Sequence, residues 1–201
     1  MIALIDYGIG NLRSVEKALQ AAGGEVQLTE DPALILEADK VVLPGVGAFG
    51  DGMKGLEARQ LVPILQTIWE RKTPLLGICL GMQLLFEGSD EAPQQPGLGY
   101  LSGWVHRFSD DEVKVPQTGW NQVWIERESR LLNDLENGSY AYFNHSYYCQ
   151  PSDHQDWLGS SEYSLRYASV VGRGNLYGAQ FHPEKSQAVG LQILRNFVEN
   201  C

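Results

Sequence analysis

The residue pattern predicts an α/β protein: a mainly parallel central sheet flanked by helices, with additional antiparallel strands in the C-terminal half. Three observations carry this. From Met1 to Phe86, short apolar runs alternate with segments of helical periodicity, an order that implies right-handed βαβ units. Beyond about Gly88 the texture changes to short alternating stretches set apart by turn residues, which is how antiparallel or mixed strands read. The 201 residues are 43% hydrophobic and 20% charged, ordinary globular composition with enough chain for one substantial core.

The elements follow in order. Met1 to Asp6 is a strand-like run, after which Leu12, Val15, Ala18 and Leu19 recur at helical spacing until Gly23 and Gly24 stop them. Val26 to Thr29 reads as a second strand and Val41 to Pro44 as a third. Met53 to Arg71 reads as one longer helix with Leu61, Ile64, Leu65 and Ile68 on a face, kinked or split by Pro63. Pro74 to Cys79 is an apolar run that gives way to the helical pattern Met82, Leu84, Leu85, Phe86. Pro93-Gln94-Gln95-Pro96 marks a loop. Trp104–Phe108, Asn121–Glu126, Arg166–Val170 and Asn175–Phe181 follow as strands, joined by turns such as Glu136-Asn137-Gly138 and Gly172-Arg173-Gly174. A last amphipathic helix starts at Ser186, an expected N-cap, and runs through Val189, Leu191, Ile193, Leu194 and Phe197. No internal repeat or low-complexity linker interrupts the chain.

Several function classes are disfavoured. No apolar run reaches the roughly 18 residues of a membrane span, and the opening MIALIDYGIGN lacks the basic start of a signal peptide; a cytoplasmic protein without a membrane partner is expected. A net charge of -10, with no stripe of Lys and Arg, argues against nucleic acid. Cys79, Cys149 and Cys201 are scattered and form no C-x-x-C pair, so neither a disulfide framework nor a metal site is expected, and no cofactor is called for.

Chemistry concentrates in a few segments. Gly77-Ile78-Cys79-Leu80-Gly81 has the G-x-nucleophile-x-G form of a reactive side chain on a tight strand-to-helix turn. There a helix N-terminus favours the thiolate, and the Leu80 amide faces the same space. Taken alone, Cys79 reads equally well as a small buried hydrophobe ending a core strand. In Gly178-Ala179-Gln180-Phe181-His182-Pro183-Glu184-Lys185-Ser186, Glu184 can turn back on His182, which would complete a Cys–His–Glu triad; alone, this is an ordinary loop before a helix. Pro44-Gly45-Val46-Gly47-Ala48-Phe49-Gly50 can bring backbone amides to a ligand but lacks the ending of a P-loop. Gly8-Ile9-Gly10 has Arg13 where a dinucleotide fingerprint needs glycine, and reads as a turn at the carboxyl edge of the sheet. His106 and His154 read as surface or loop residues, and His145 lies in an aromatic cluster that lines either a core or an interface.

Together, PGVGAFG around Gly47, GICLGMQ around Cys79 and QFHPEKS around His182 resemble the class I, triad-type glutamine amidotransferases over essentially the whole length, one domain spanning 1–201. DYGIGNLRSV at the N-terminus, VPQTGWNQV at 115–123 and YFNHSYY at 142–148 look like those of the glutaminase subunits of imidazole glycerol phosphate synthase. The resemblance implies Cys79 as nucleophile, His182 as acid and base, and Glu184 as its orienting partner. It implies an oxyanion hole from the Leu80 amide and a peptide near Gly47 that reorients, and L-glutamine held by Gln83, Glu91, Ser146 and Tyr147. It further implies a heterodimer with a (β/α)8-barrel cyclase through Asn11, Gln117, Trp120, Asn121, Tyr142 and Lys185, with ammonia passed across. The sequence departs from the family's pattern at Gln117-Thr118, where His-Met is common, and at Asn144, often apolar.

Other functions are compatible with some of these residues. A paralogue feeding ammonia to a different synthase, for example one that aminates a sugar, would carry the same triad. A catalytically silent scaffold is disfavoured by the intact triad, and a protease-like hydrolase by the GICLGMQ and HPEKS pair.

Overall fold

A computed structural model describes residues 1–201. Its first half alternates as expected: β1 (Ile2–Ile5), α1 (Leu12–Ala21), β2 (Val26–Thr29), α2 (Pro32–Glu37), β3 (Lys40–Gly45), α3 (Phe49–Ala58), α4 (Val62–Glu70), β4 (Leu75–Cys79) and the single turn α5 (Leu80–Gln83). The second half holds β5 (Gly88–Ser89), β6 (Gly103–Arg107), β7 (Gln117–Ile125), β8 (Ser139–His145), β9 (Tyr147–Pro151), β10 (Trp157–Tyr163), β11 (Leu165–Arg173), β12 (Leu176–Ala179) and α6 (Gln187–Asn200).

The main sheet runs β2-β1-β3-β4-β12-β11-β10-β7-β8. Strands β2, β1, β3, β4 and β12 pair in parallel, and from β12 onward to β8 the pairing is antiparallel. β9 joins β11 to β6, which in turn pairs β5. β1 and β4 are buried along their whole length, which is why they read as unbroken apolar runs rather than alternations. The sheet separates two cores. Ala3 and Ile5 face one side with Ile35, Leu56, Leu65 and Ile68 from α2, α3 and α4. Ile2 and Leu4 face the other with Val15 and Leu19 from α1 and Ile193 and Phe197 from α6.

Several expectations are corrected. Met53–Arg71 is two helices, α3 beginning at Phe49, and the break falls at Gln60, in the left-handed region with φ 55°. Pro63 lies inside the first turn of α4, where its missing N–H costs nothing. α2 has no counterpart in the sequence reading, although Asp31 caps it by accepting from the Ala33 N–H at 2.9 Å and Pro32 opens it. The helix after Cys79 stops at Gln83 rather than continuing to Phe86. β8, β9 and β10 are strands that the sequence reading lacks. The expected Gly172-Arg173-Gly174 turn falls one residue later, with β11 running to Arg173 and β12 starting at Leu176.

The parallel register decides where chemistry can happen. Gly45 of β3 lies beside Cys79, and Ile78 beside Ala179 of β12, so the loops leaving β3, β4 and β12 meet at one carboxyl edge, where open α/β sheets bind ligands.

Candidate active site

Cys79 ends β4 and heads α5 with φ 53° and ψ -110°, a strained position for a residue with a side chain. The strain is held by close packing. A Cβ on Gly81 would overlap the Leu43 carbonyl oxygen of β3, and one on Gly77 would come within 2.6 Å of the Gly81 carbonyl. Only glycine on both sides lets α5 sit this low on the sheet. Cys79 is 6% exposed, and Leu80, one residue on, begins the turn whose first amides have no intrahelical acceptor.

His182 follows β12, whose neighbour is β4. Its Nδ1–H donates to Glu184 Oε1 at 2.9 Å, and both side chains are nearly fully enclosed. Since the carboxylate only accepts, Nδ1 carries the proton and Nε2 is left for the Cys79 side. Burial alone would depress the imidazole's pKa, but the Cys79 sulfur and the Glu184 carboxylate outweigh it and raise it to about 10. Ser186, expected as an N-cap, occupies that position without capping α6. Its Oγ donates to the His182 carbonyl at 2.7 Å and accepts from the Tyr142 N–H at 2.9 Å, while the His182 N–H donates to the Tyr142 carbonyl at 2.9 Å. The serine therefore ties the histidine's backbone to β8.

The loop after β3 forms the opposite wall. Tyr7, buried at the end of β1, donates from its hydroxyl to the Pro44 carbonyl at 2.6 Å. Gly47 adopts φ 99° with nothing within 4 Å of where a Cβ would stand, so its peptide is anchored upstream yet free of packing around it. Downstream, the Phe49 N–H donates to Glu91 Oε2 at 2.7 Å.

Between these walls lies a cleft of about 250 Å³. It is lined by Gly47, Cys79, Leu80, Gln83, Glu91 and His182, and also by Ser146 and Tyr147, so the expected oxyanion and substrate residues and two of the three expected catalytic residues meet in one space, with Glu184 hydrogen-bonded to His182 outside it. Gln83 is nearly buried, its Nε2 donating to the Tyr147 carbonyl and to Gln180 Oε1, each at 3.2 Å. His145 also lines the cleft. Its Nδ1–H donates to the Tyr147 carbonyl at 2.7 Å, and burial, reinforced by His182 and only partly offset by that bond, lowers its pKa to about 4. Gln180 is wholly buried beside Cys79; its only sign in the sequence is its place two residues before His182. No three His, Cys, Asp or Glu side chains converge as metal ligands would.

Three of the expected partner-facing residues, Trp120, Tyr142 and Lys185, are grouped together, with Lys185 at the cleft. Trp120 and Tyr142 pack edge to face across β7 and β8, and Lys185 Nζ lies 5.7 Å from the Tyr142 ring. Asn11 is exposed at the head of α1, which packs against the 183–185 turn. Asn121 is half-buried and donates to the Glu162 carbonyl at 2.9 Å. Gln117 is a correction: the alternation of β7 turns it inward, 3% exposed, with Oε1 accepting from the Tyr167 hydroxyl at 2.9 Å. Thr118 and Asn144, both departures from the family's pattern, face each other across β7 and β8 and are hydrogen-bonded at 3.1 Å, so they amount to one exchanged pair. His106 sits on β6 with Nδ1 3.1 Å from Asp90, and His154 is exposed.

Comparison with known proteins supplies the family. Residues 3–201 match the model of the Glutamine amidotransferase class-I family. The chain is 50% identical over 198 residues to the imidazole glycerol phosphate synthase subunit HisH of Moorella thermoacetica, covering 98% of this chain and 94% of that one. To the subunit HisH of Methanosarcina mazei it is 48% identical over 205 residues, covering 100% and 98%. A crystal structure of a glutamine amidotransferase superposes with a TM-score of 0.78 at 18% identity, over 99% of this chain and 98% of the other, a likeness of fold. With a family match along almost its whole length and relatives at half identity, the chain belongs to the class-I glutamine amidotransferases, as an enzyme subunit of the imidazole glycerol phosphate synthase HisH family.

Proposed function

We propose that residues 1–201 work as a single glutamine amidotransferase domain that hydrolyses L-glutamine to glutamate and ammonia at the Cys79 cleft. The ammonia then passes to a (β/α)8-barrel cyclase docked over Asn11, Trp120, Asn121, Tyr142 and Lys185. The observation that supports this best is the buried row of Cys79, His182 and Glu184, with the imidazole aligned by the 2.9 Å bond to Glu184 at the mouth of a strained nucleophile turn.

With the Cys79 proton held on His182 Nε2, the sulfur attacks the side-chain amide carbon of glutamine, moving the carbonyl π pair onto oxygen. The Leu80 N–H and an amide of the Val46–Gly47 segment, once reoriented, donate to that oxyanion. Collapse breaks the C–N bond, His182 returns its proton to the leaving nitrogen, and ammonia departs from a thioester. Water then adds, giving a proton to His182, and the C–S bond breaks with its electron pair returning to sulfur. Gln83, Glu91, Ser146 and Tyr147 line the space left for the amino acid head group. No cofactor takes part in this scheme.

In the cyclase the ammonia meets the phosphoribulosyl-formimino substrate and yields imidazole glycerol phosphate and AICAR ribonucleotide. The face that opens beside the cleft carries an aromatic and cationic cluster, suited to a partner with aromatic and acidic groups. A histidine-pathway role fits work in the cytoplasm, and no helix is long and apolar enough to cross a membrane.

The deciding experiment measures glutamate release by the chain alone and then with the cyclase and its nucleotide ligand. Release that is stimulated by the partner and abolished in Cys79→Ala is expected. Unchanged activity beside a competent cyclase would assign the ammonia to another synthase, and turnover surviving in Cys79→Ala would remove Cys79 from the mechanism.

A further inference from the structure

Beside Cys79 runs a chain of buried polar side chains. Gln180 is wholly buried, the residue that leaves β12 toward His182, and its backbone N–H donates to the Ser169 carbonyl of β11 at 2.9 Å. Its side-chain Nε2 lies 3.8 Å from Cys79 Sγ. Its Oε1 receives Gln83 Nε2 at 3.2 Å and the Cys149 thiol at 3.9 Å. Gln83 Nε2 also reaches the Tyr147 carbonyl.

The direction of this chain is set by its far end. A backbone carbonyl only accepts, so Gln83 must present its NH2 to Tyr147. That same NH2 meets Gln180, which must answer with its oxygen, leaving the Gln180 NH2 no orientation but toward sulfur. The inward-facing end of the chain is therefore a donor, fixed by covalent chemistry at Tyr147.

We propose that Gln180 is a further catalytic residue of this site, donating a hydrogen bond to the Cys79 sulfur whenever the sulfur carries negative charge. The inference rests on Cys79 being the nucleophile. Charge appears on sulfur twice in the reaction, when His182 has taken the thiol proton and when the C–S bond of the thioester breaks with its electron pair returning to sulfur. In the thioester between these points, sulfur is a poor acceptor and the bond is weakest, so Gln180 favours the charged states over the acyl intermediate. It thus acts on the sulfur as the Leu80 amide acts on the oxyanion. The titratable groups around the sulfur are His182 from the β12 loop, Tyr7 just after β1 and Cys149 from β9, with Glu91, His145 and Lys185 lining the same cleft. Burial, chiefly, raises both the Tyr7 hydroxyl and the Cys149 thiol and keeps them neutral. Gln180 supplies a donor there without adding a charge to a closed pocket. The same chain joins the sulfur to Gln83 and to the backbone of Tyr147, two of the substrate residues proposed above, so a head group that pulls on Gln83 is felt at the nucleophile.

The test is iodoacetamide alkylation of Cys79 against pH, read at the level of the Cys79 peptide so that Cys149 and Cys201 do not contribute. Gln180→Met keeps length and removes the donor. Its alkylation midpoint is expected to rise by about one pH unit, with alkylation roughly tenfold slower well below the midpoint. An unshifted midpoint in folded Gln180→Met overturns the proposal. In the unsubstituted chain, the Gln180 side-chain ¹⁵N–H resonance should move with the same midpoint as Cys79 alkylation, and a resonance that ignores it overturns the proposal equally, whether or not the variant folds. Glutamine turnover by Cys79→Ala, in contrast, would sink the nucleophile assignment itself, so the two failures are told apart.

Discussion

His145 is buried at the wall of the cleft and neutral, and this has a measurable cost in acid. Its pKa falls from the usual 6.5 to about 4 on folding, so between those values the unfolded chain holds a proton that the native one refuses. Stability from this residue is whole above about pH 6.5 and is lost as pH falls toward 4, by about 3 kcal/mol across the window. His182 runs the other way: with its pKa raised to about 10, its contribution is intact below 6.5 and fades as pH climbs from there toward 10. In urea titrations the midpoint should therefore drop between pH 6.5 and 4, and drop less in His145→Asn, which retains a donor for the Tyr147 carbonyl. Parallel curves for the two proteins would refute this account. At this scale the sequence was informative where a side chain's chemistry is local, as for Cys79, His182 and Glu184. It was silent on Gln180 and wrong about Gln117, because which way a strand residue points depends on a neighbour far along the chain.

Elements constrain the site by how closely they approach. The turn bearing Cys79 lies so near β3 that a Cβ on Gly81 would overlap the Leu43 carbonyl. Gly81→Ala is expected to cost more than about 3 kcal/mol and to abolish Cys79 alkylation at neutral pH in whatever folded fraction remains; a variant with wild-type melting and labelling would show that the turn tolerates displacement. Ser186→Ala removes one link between the His182 backbone and β8. It should lower kcat more than it raises KM, and equal effects on both would deny the serine a positioning role. The strands β1, β3 and β4 were legible because both faces are buried along most of their length and their apolar runs are nearly unbroken. β8 and β10 were not: β8 buries His145 beside Ala141 and Phe143 while exposing Tyr140 and Asn144, and β10 buries Gly159, Ser160 and Ser161, patterns that cross-strand pairing explains. The break in Met53–Arg71, expected at Pro63, falls instead at Gln60 for a related reason: Gln60 takes a left-handed backbone that its residue type does not announce.

Over the whole molecule, one face remains apolar without contributing to either core. Trp120, Trp124 and Tyr140 are 47%, 42% and 55% exposed, and Trp120 lines a shallow hollow of about 590 Å³ with Tyr140 and Ser186. If the cyclase docks here, Trp120→Ala should weaken the complex by about 2 kcal/mol, roughly thirtyfold in Kd, while the isolated chain's melting temperature stays within error. A calorimetric titration showing unaltered affinity would move the interface elsewhere. The global topology was predicted in outline, parallel first and antiparallel after, yet the insertion of β12 between β4 and β11 could not be read from local patterns.

That insertion has a bearing on biosynthesis. Gly178 of β12 registers against Gly77 of β4, so the strand that delivers the histidine must travel back over about half of the polypeptide to lie beside the strand that delivers the thiol. Such a distant pairing is slow to close, and until it closes β4 keeps a bare edge of the kind that recruits other strands. On the proposed mechanism, a nascent chain on the ribosome thus carries the Cys79 thiol without His182, its base. It is chemically quiet toward glutamine and most prone to aggregate during the same interval, and both conditions end with one event, the docking of β12.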